Sequence, residues 1–158
     1  MQNSPLAYFI TFRTYGTWLP GDERGSVDVV HNIYGSPFRA ASKRQETIAQ
    51  SRLRHDSVEL DSVQRSTVDD ALRAVCEHNG WLLRSANVRS NHVHTVVGAP
   101  IAPERLMNTL KSWSTRKLVE AEMLAPGVKV WARHGSTRYL WTEAAVEAAC
   151  RYVVHGQD

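Results

Sequence analysis

His92 and His94 stand two residues apart in the stretch Asn91-His92-Val93-His94-Thr95-Val96-Val97. The run is apolar and β-branched and reads as a strand, in which successive side chains alternate faces. Both imidazoles then project to one side and Val93 to the other. Two imidazoles on one face can grip one metal ion and leave several coordination positions open, which is what a Lewis acid needs to polarise a substrate oxygen. A structural zinc site would take four protein ligands, yet Cys76 and Cys150 lie far apart and show no C-x-x-C spacing. The plainer reading is a pair of half-buried or surface histidines on a sheet face. A second reactive group lies near the C-terminus. Tyr152 shares one side of the final predicted helix with Ala145, Ala148 and Ala149, a side nearly bare of bulk that can approach a sheet closely. A phenol can act as a covalent nucleophile, and a nearby cation would lower its pKa and neutralise charge on an attacked phosphate. The alternative is a ring resting on the core with its hydroxyl in water. His155 lies three residues on and can share this face; Gln157, just past a helix stop at Gly156, can fold back toward it.

Positioning these groups takes a sheet and a helix. Ala7 to Arg13 is rich in aromatic and β-branched residues, with Tyr8, Ile10 and Phe12 opposed to Phe9, Thr11 and Arg13, and reads as a buried first strand. The chain leaves it through Tyr15-Gly16-Thr17-Trp18-Leu19-Pro20-Gly21, and turn residues recur without a sustained period to about Arg39. Residues from about 20 to 60 are read as an insertion after strand 1, either a functional loop or a partner surface. Its second half, Ala41 to His55, is a polar helix made basic by Lys43, Arg44, Arg52 and Arg54. Ser66 or Thr67 caps a helix to about Asn79, where Asn79-Gly80 supplies the stop. Trp81 to Val88 forms a second strand, and Arg89-Ser90-Asn91 turns it into the histidine strand. Pro103 begins a helix through about Met123. Val128 to Ala132 and Arg138 to Trp141 read as two short strands around a hairpin turn at His134-Gly135-Ser136-Thr137. Thr142 caps the final helix, Glu143 to about His155. The order predicts an α+β fold, a ferredoxin-like βαββαβ core with a C-terminal helix appended that carries the tyrosine.

A chain of 158 residues buries one good core, so residues 1–158 are read as one domain. Hydrophobic content of 42% and charged content of 22% fit a soluble globular protein. No apolar run approaches the roughly 20 residues of a membrane span, and the N-terminus lacks a basic region followed by an apolar signal core, so a cytoplasmic location is expected. A net charge of +3, with seven histidines able to add to it, favours a polyanionic partner.

The ordered set of motifs is more specific than any one of them. Y-F-I-T-F-R-T-Y-G-T-W-L-P-G-D-E-R-G-S-V-D, then H-N-x-Y-G-x-P, N-H-V-H-T-V-V, L-K-S-W-S-T-R and a terminal R-Y-V resemble the single-tyrosine HUH transposases, in the branch related to REP-associated tyrosine transposases. The similarity runs from about Tyr8 to Gln157. It implies action on single-stranded DNA bearing hairpins, with Mg²⁺ or Mn²⁺ held by His92 and His94 and with Tyr152 forming a 5′-phosphotyrosine link that frees a 3′-hydroxyl. Many members take a third metal ligand from a glutamine one turn after the tyrosine. Gly156 occupies that position here, so Gln157 or His155 would substitute, helix spacing favouring His155 and ligand type Gln157. Lys111, Arg116, Arg133, Arg138 and the basic helix from Lys43 to Arg54 are then expected phosphate contacts, with solubilising charge as the alternative. Trp18, Tyr34 and Trp131 could stack on unpaired bases, a core role being the alternative for the tryptophans. The resemblance is compatible with a homodimer in which Tyr152 serves a partner's histidines. It also allows a non-cleaving regulator that binds single-stranded DNA or RNA hairpins.

Overall fold

The computed structural model describes residues 4–17 and 56–156. At its centre lies β1 (Ala7–Arg13), and the chain continues through α1 (Ser62–Asn79), β2 (Leu82–Val88), β3 (His92–Gly98), α2 (Pro103–Glu120), β4 (Ser136–Leu140) and α3 (Glu143–His155). The strands stand in the order β2-β3-β1-β4, every neighbouring pair antiparallel. This is the expected α+β arrangement, βαββαβ with a helix appended. The expected polar helix at Ala41 to His55, with most of the insertion, lies outside the described residues. Its last residues return to the core: Val58 and Leu60 are buried, with their N–H groups donating to the carbonyls of Tyr15 and Ser90 at 2.8 and 2.7 Å.

Strand alternation sorts the core into two layers. Tyr8, Ile10 and Phe12 of β1 and Val93 and Val97 of β3 face α1 and α2, meeting Val68, Leu72 and Val75 on one and Leu106 and Leu110 on the other. Ala7, Phe9, Val96 and Leu140 face the opposite way and pack against Val146, Ala149 and Val153 of α3. Phe12, Ile10, Leu72, Leu106 and Leu110 are all 0% exposed, so the α1–α2 layer is the larger source of stability. Among the described residues no helix is long and apolar enough to cross a membrane.

Three local expectations are corrected. First, α1 starts earlier than Ser66 or Thr67 would set it. Asp61 is the cap, its Oδ1 accepting from Gln64 N at 2.8 Å while Gln64 Oε1 accepts from Asp61 N at 2.9 Å, a reciprocal capping box. Second, α2 stops at Glu120 rather than Met123. Glu122 takes a left-handed φ of 58°, and the N–H groups of Glu122 and Met123 turn back to Val119 O and Leu118 O, which closes a Schellman motif without glycine. Third, the hairpin around His134 does not form. Thr14 bridges Trp131 and Thr11 pairs with Ser136, so both segments lie on the same edge of β1 instead of on each other. Residues 132–135 bulge out between them, with His134 at φ 65°. Gly135 passes so close to β1 that a Cβ there would strike the carbonyl of Thr11 and come within 2.7 Å of Met107 Sδ.

Candidate active site

β3 delivers the histidines. His92 pairs with Arg13 and His94 with Thr11 across the β1–β3 register, and residues directly opposite share a face. Phe9, Thr11, Arg13, His92, His94 and Val96 therefore line the side of the sheet that carries α3. The two imidazole rings lie 4.7 Å apart, centroid to centroid, and both are buried, at 5% and 7% exposure. Each ring is held through Nδ1. Asn91 Oδ1 lies 2.7 Å from His92 Nδ1, an acceptor that fixes the proton on that nitrogen. Thr11 Oγ1 lies 2.7 Å from His94 Nδ1. A metal-binding histidine is ordinarily oriented in this way by a polar partner on its other nitrogen, which directs Nε2 at the ion. The donor set and its supports fit a divalent cation bound through Nε2 of His92 and His94.

α3 brings the phenol to the same face. Thr142 caps the helix, its Oγ1 accepting from Ala145 N at 3.1 Å, and Asn87 of β2 donates from Nδ2 to Val153 O at 2.9 Å. Asn87 pairs with His94, so this bond ties the last turn of α3 to the strand beside the histidines. The helix buries Val146, Ala149 and Val153, spaced i, i+3 and i+7. Ala148, expected on the buried side, is exposed. Tyr152 sits at the shoulder of this stripe, 48% exposed, with its ring edge-on to Phe9 at 5.8 Å and to His94 at 5.7 Å. Phe9 also meets the His94 ring at 5.6 Å and so fills the corner between nucleophile candidate and metal-ligand candidate.

The remaining expected residues divide. His155 ends α3 and is exposed, and Gln157 lies outside the described residues. Among the described residues no group of three His, Cys, Asp or Glu side chains is arranged to hold a metal. Arg138 pairs with Phe9 across β1 and β4 and shares the histidine face. Arg133 is exposed on the bulge. Lys111 and Arg116 belong to α2, in the layer behind the sheet. Lys111 Nζ donates to the carbonyls of Ala132 and His134 at 3.0 and 2.7 Å, pinning the bulge. Burial, aided by the positive charges of Arg13 and Lys129, lowers its pKa to about 8. The Arg116 guanidinium lies 4.7 Å over the Trp113 ring and 3.9 Å from Glu120. Trp131 takes the core role, edge-on to Phe12 at 4.8 Å with its indole N–H donating to Lys111 O at 3.2 Å. Trp18 and Tyr34 lie outside the described residues.

Sequence reasoning missed Thr11, Asn91, Phe9 and Asn87 as supports of the site. The signal for Thr11 was a hydroxyl between Phe9 and Arg13 on one face of β1, but its partner is fixed only by strand register.

Comparison with known proteins gives the geometry a lineage. A REP-associated tyrosine transposase bound to a REP hairpin superposes with a TM-score of 0.53 at 10% identity, covering 97% of this chain and 67% of the other. A Deinococcus radiodurans protein described as a transposase superposes with a TM-score of 0.52 at 17% identity, covering 99% and 93%. At those identities the likeness is one of fold. No match is found among curated proteins. The family model for IS200-like transposases matches residues 45–153, which include both histidines, Tyr152 and all the described elements from α1 to the last turn of α3, and the chain belongs to that family.

Proposed function

We propose that this transposase cuts and rejoins single-stranded DNA at hairpin-flanked sites through a tyrosine–DNA intermediate. The observation that carries the reading is the position of Tyr152, 5.7 Å ring to ring from a buried histidine whose other nitrogen is already oriented. His92 and His94, with Gln157 or His155, would hold Mg²⁺ or Mn²⁺, which supplies charge neutralisation at the scissile phosphate. Tyr152 Oη attacks phosphorus in line, a phosphotyrosine bond forms, and the P–O3′ bond breaks. The phenol gives its proton to solvent and the departing 3′-oxygen takes one up. Attack by a 3′-hydroxyl on the phosphotyrosine reverses the exchange and reseals a strand. One phosphodiester replaces another at each step, so no nucleotide cofactor is required. Arg138, on the histidine face, and Arg133, on the bulge, are the cations best sited to meet the DNA backbone. Lys111 and Arg116 are less so, one held by carbonyls and the other stacked on Trp113 behind the sheet. Support for a hairpin substrate comes from the similarly folded transposase that is bound to a REP hairpin.

The test incubates the protein with Mn²⁺ and an end-labelled single strand containing a hairpin and resolves the products on a denaturing gel. A covalent adduct is expected that Tyr152→Phe abolishes without loss of binding and that His92→Ala weakens. An adduct that survives Tyr152→Phe refutes the assignment of the nucleophile. Tight binding with no cleavage across many hairpins would instead establish a non-cleaving regulator of DNA or RNA hairpins. Mixing Tyr152→Phe with His92→Ala separates the subunit arrangements. The contact of Tyr152 with His94 of its own chain favours action in cis, for which the mixture stays inactive, whereas a homodimer acting in trans would recover activity.

A further inference from the structure

The end of α3 carries a steric relation that the chemistry above does not use. Gly156 follows the helix and donates its N–H to Tyr152 O at 2.9 Å. A Cβ placed on Gly156 would fall 2.6 Å from Cδ2 of the Tyr152 ring. Non-bonded carbons pack at about 3.5–4.0 Å, so ring and side chain could not both be there. The dihedral angles do not require glycine, although a Cβ would also stand 3.0 Å from Tyr152 O and 3.1 Å from Tyr152 Cα, close enough that the backbone would have to give by a few tenths of an ångström. Its φ of −84° and ψ of 10° lie where non-glycine residues also sit in turns. What the missing side chain provides is room. On its other sides the ring meets Phe9 and His94.

We infer that Gly156 is a positioning residue for Tyr152: its bare Cα is the seat against which the phenol ring is held on the histidine face, and any side chain at 156 displaces the ring. The consequence for catalysis rests on the strand-cleavage reading; the placement of the ring does not. A methyl group at 156 must move the ring by about 1 Å to restore normal contact, and a misplacement of that size costs on the order of 100-fold in a reaction that depends on alignment.

The experiment compares wild type, Gly156→Ala and Tyr152→Ala by NMR, following the His94 ring protons, which feel the ring current of Tyr152, and measures adduct formation and hairpin affinity in parallel. Tyr152→Ala gives the shift with the ring absent. In Gly156→Ala the His94 shift is expected to move most of the way to that value, the adduct to form 10- to 100-fold more slowly, and the hairpin Kd to stay unchanged. A His94 shift at the wild-type value overturns the inference, as does a displaced shift with an undiminished adduct rate. No adduct in wild type, with the shift still displaced, refutes strand cleavage and leaves the seat at Gly156 standing. Should the methyl lower Tm, the loss is expected to shrink in the Tyr152→Ala background to what the contacts with the backbone O and Cα of residue 152 leave; a loss undiminished there overturns the proposed clash with the ring.

Discussion

Thr11→Val tests whether the strand beside the histidines does more than fill space. Thr11 Oγ1 is 2.7 Å from Nδ1 of His94, and the two residues are direct partners across β1 and β3. Valine keeps the shape and the strand preference of threonine and deletes only the hydroxyl. One hydrogen bond contributes about 1 kcal/mol net, and depriving a buried imidazole of a partner adds to the loss, while the extra methyl recovers part of it. The expected destabilisation is therefore about 1 kcal/mol, or a Tm lower by about 2–4 °C for a chain of this size. The effect on metal binding should be larger. A histidine that loses the partner on its second nitrogen typically loses about 10- to 100-fold in metal affinity, because the ring is no longer held in the ligating orientation. Calorimetric titration with Mn²⁺ measures this directly, with His94→Ala as the zero of the scale. Thr11→Ser, which restores the hydroxyl, should recover most of the affinity. If Thr11→Val binds Mn²⁺ as wild type does while His94→Ala does not, Thr11 does not orient the ligand. If wild type itself fails to bind Mn²⁺, the histidine pair is not a metal site.

Three further outcomes follow from contacts around the site. Lys111 titrates at about 8 in the fold against an ordinary 10.5, so the unfolded chain binds more protons between those values and this group adds stability as pH rises from 8 to 10.5. Burial of Cys76, pushed up to about 11 from 9.0, acts in the opposite direction, but it is common to wild type and Lys111→Met. The Tm difference between those two proteins should therefore widen from pH 8 to 10 in favour of wild type, and a flat difference would refute the burial of the amine. Gly135→Ala forces a methyl against the Thr11 carbonyl and Met107, an overpacking that costs about 1–3 kcal/mol. A melting curve within a degree of wild type would show that the bulge can move aside. Asn87→Ala removes the bond to Val153 O and should cost about 1 kcal/mol, with faster amide exchange confined to the last turn of α3. Uniform exchange along the helix would argue against that tether.

What could be read from the sequence was whatever strand and helix periodicity determines. The two faces of β1, the shared side of His92 and His94, and the order of elements all follow from alternation and from turn residues. What could not be read depended on which distant segment claims a given edge. Val128 to Ala132 and Arg138 to Trp141 carry ordinary hairpin chemistry between them, and they fail to form a hairpin because β1 offers both a better partner along one edge. Lys111 looks like surface charge in a helix rich in Lys and Arg. Its role as a brace exists only once residues 132–135 bulge across α2 and turn two carbonyls toward it. The placement of Tyr152 was legible as to face and misjudged as to angle: the buried stripe centres on Val146, Ala149 and Val153 rather than on the alanines alone, which leaves the phenol at the margin of the packed helix instead of beneath it.

That margin suits the role proposed for Tyr152. A phenol fully sealed between α3 and the sheet would gain burial energy and lose access to a phosphate, while one on the far side of the helix would be nowhere near the histidines. At 48% exposure Tyr152 keeps its ring against Phe9 and His94 while about half of the residue remains open to solvent. The supports of this compromise are residues with no chemical role of their own. Phe9 and Thr11 belong to β1, which precedes the span matched by the family model, and β1 is also the only described strand that pairs with both β3 and β4. The residues that would do the chemistry are thus in the matched span, whereas part of what holds them in register lies upstream of it. Substitutions at Phe9 and Thr11 should accordingly alter metal affinity and tyrosine alignment without touching any residue to which the proposed chemistry assigns a bond-making or metal-holding role.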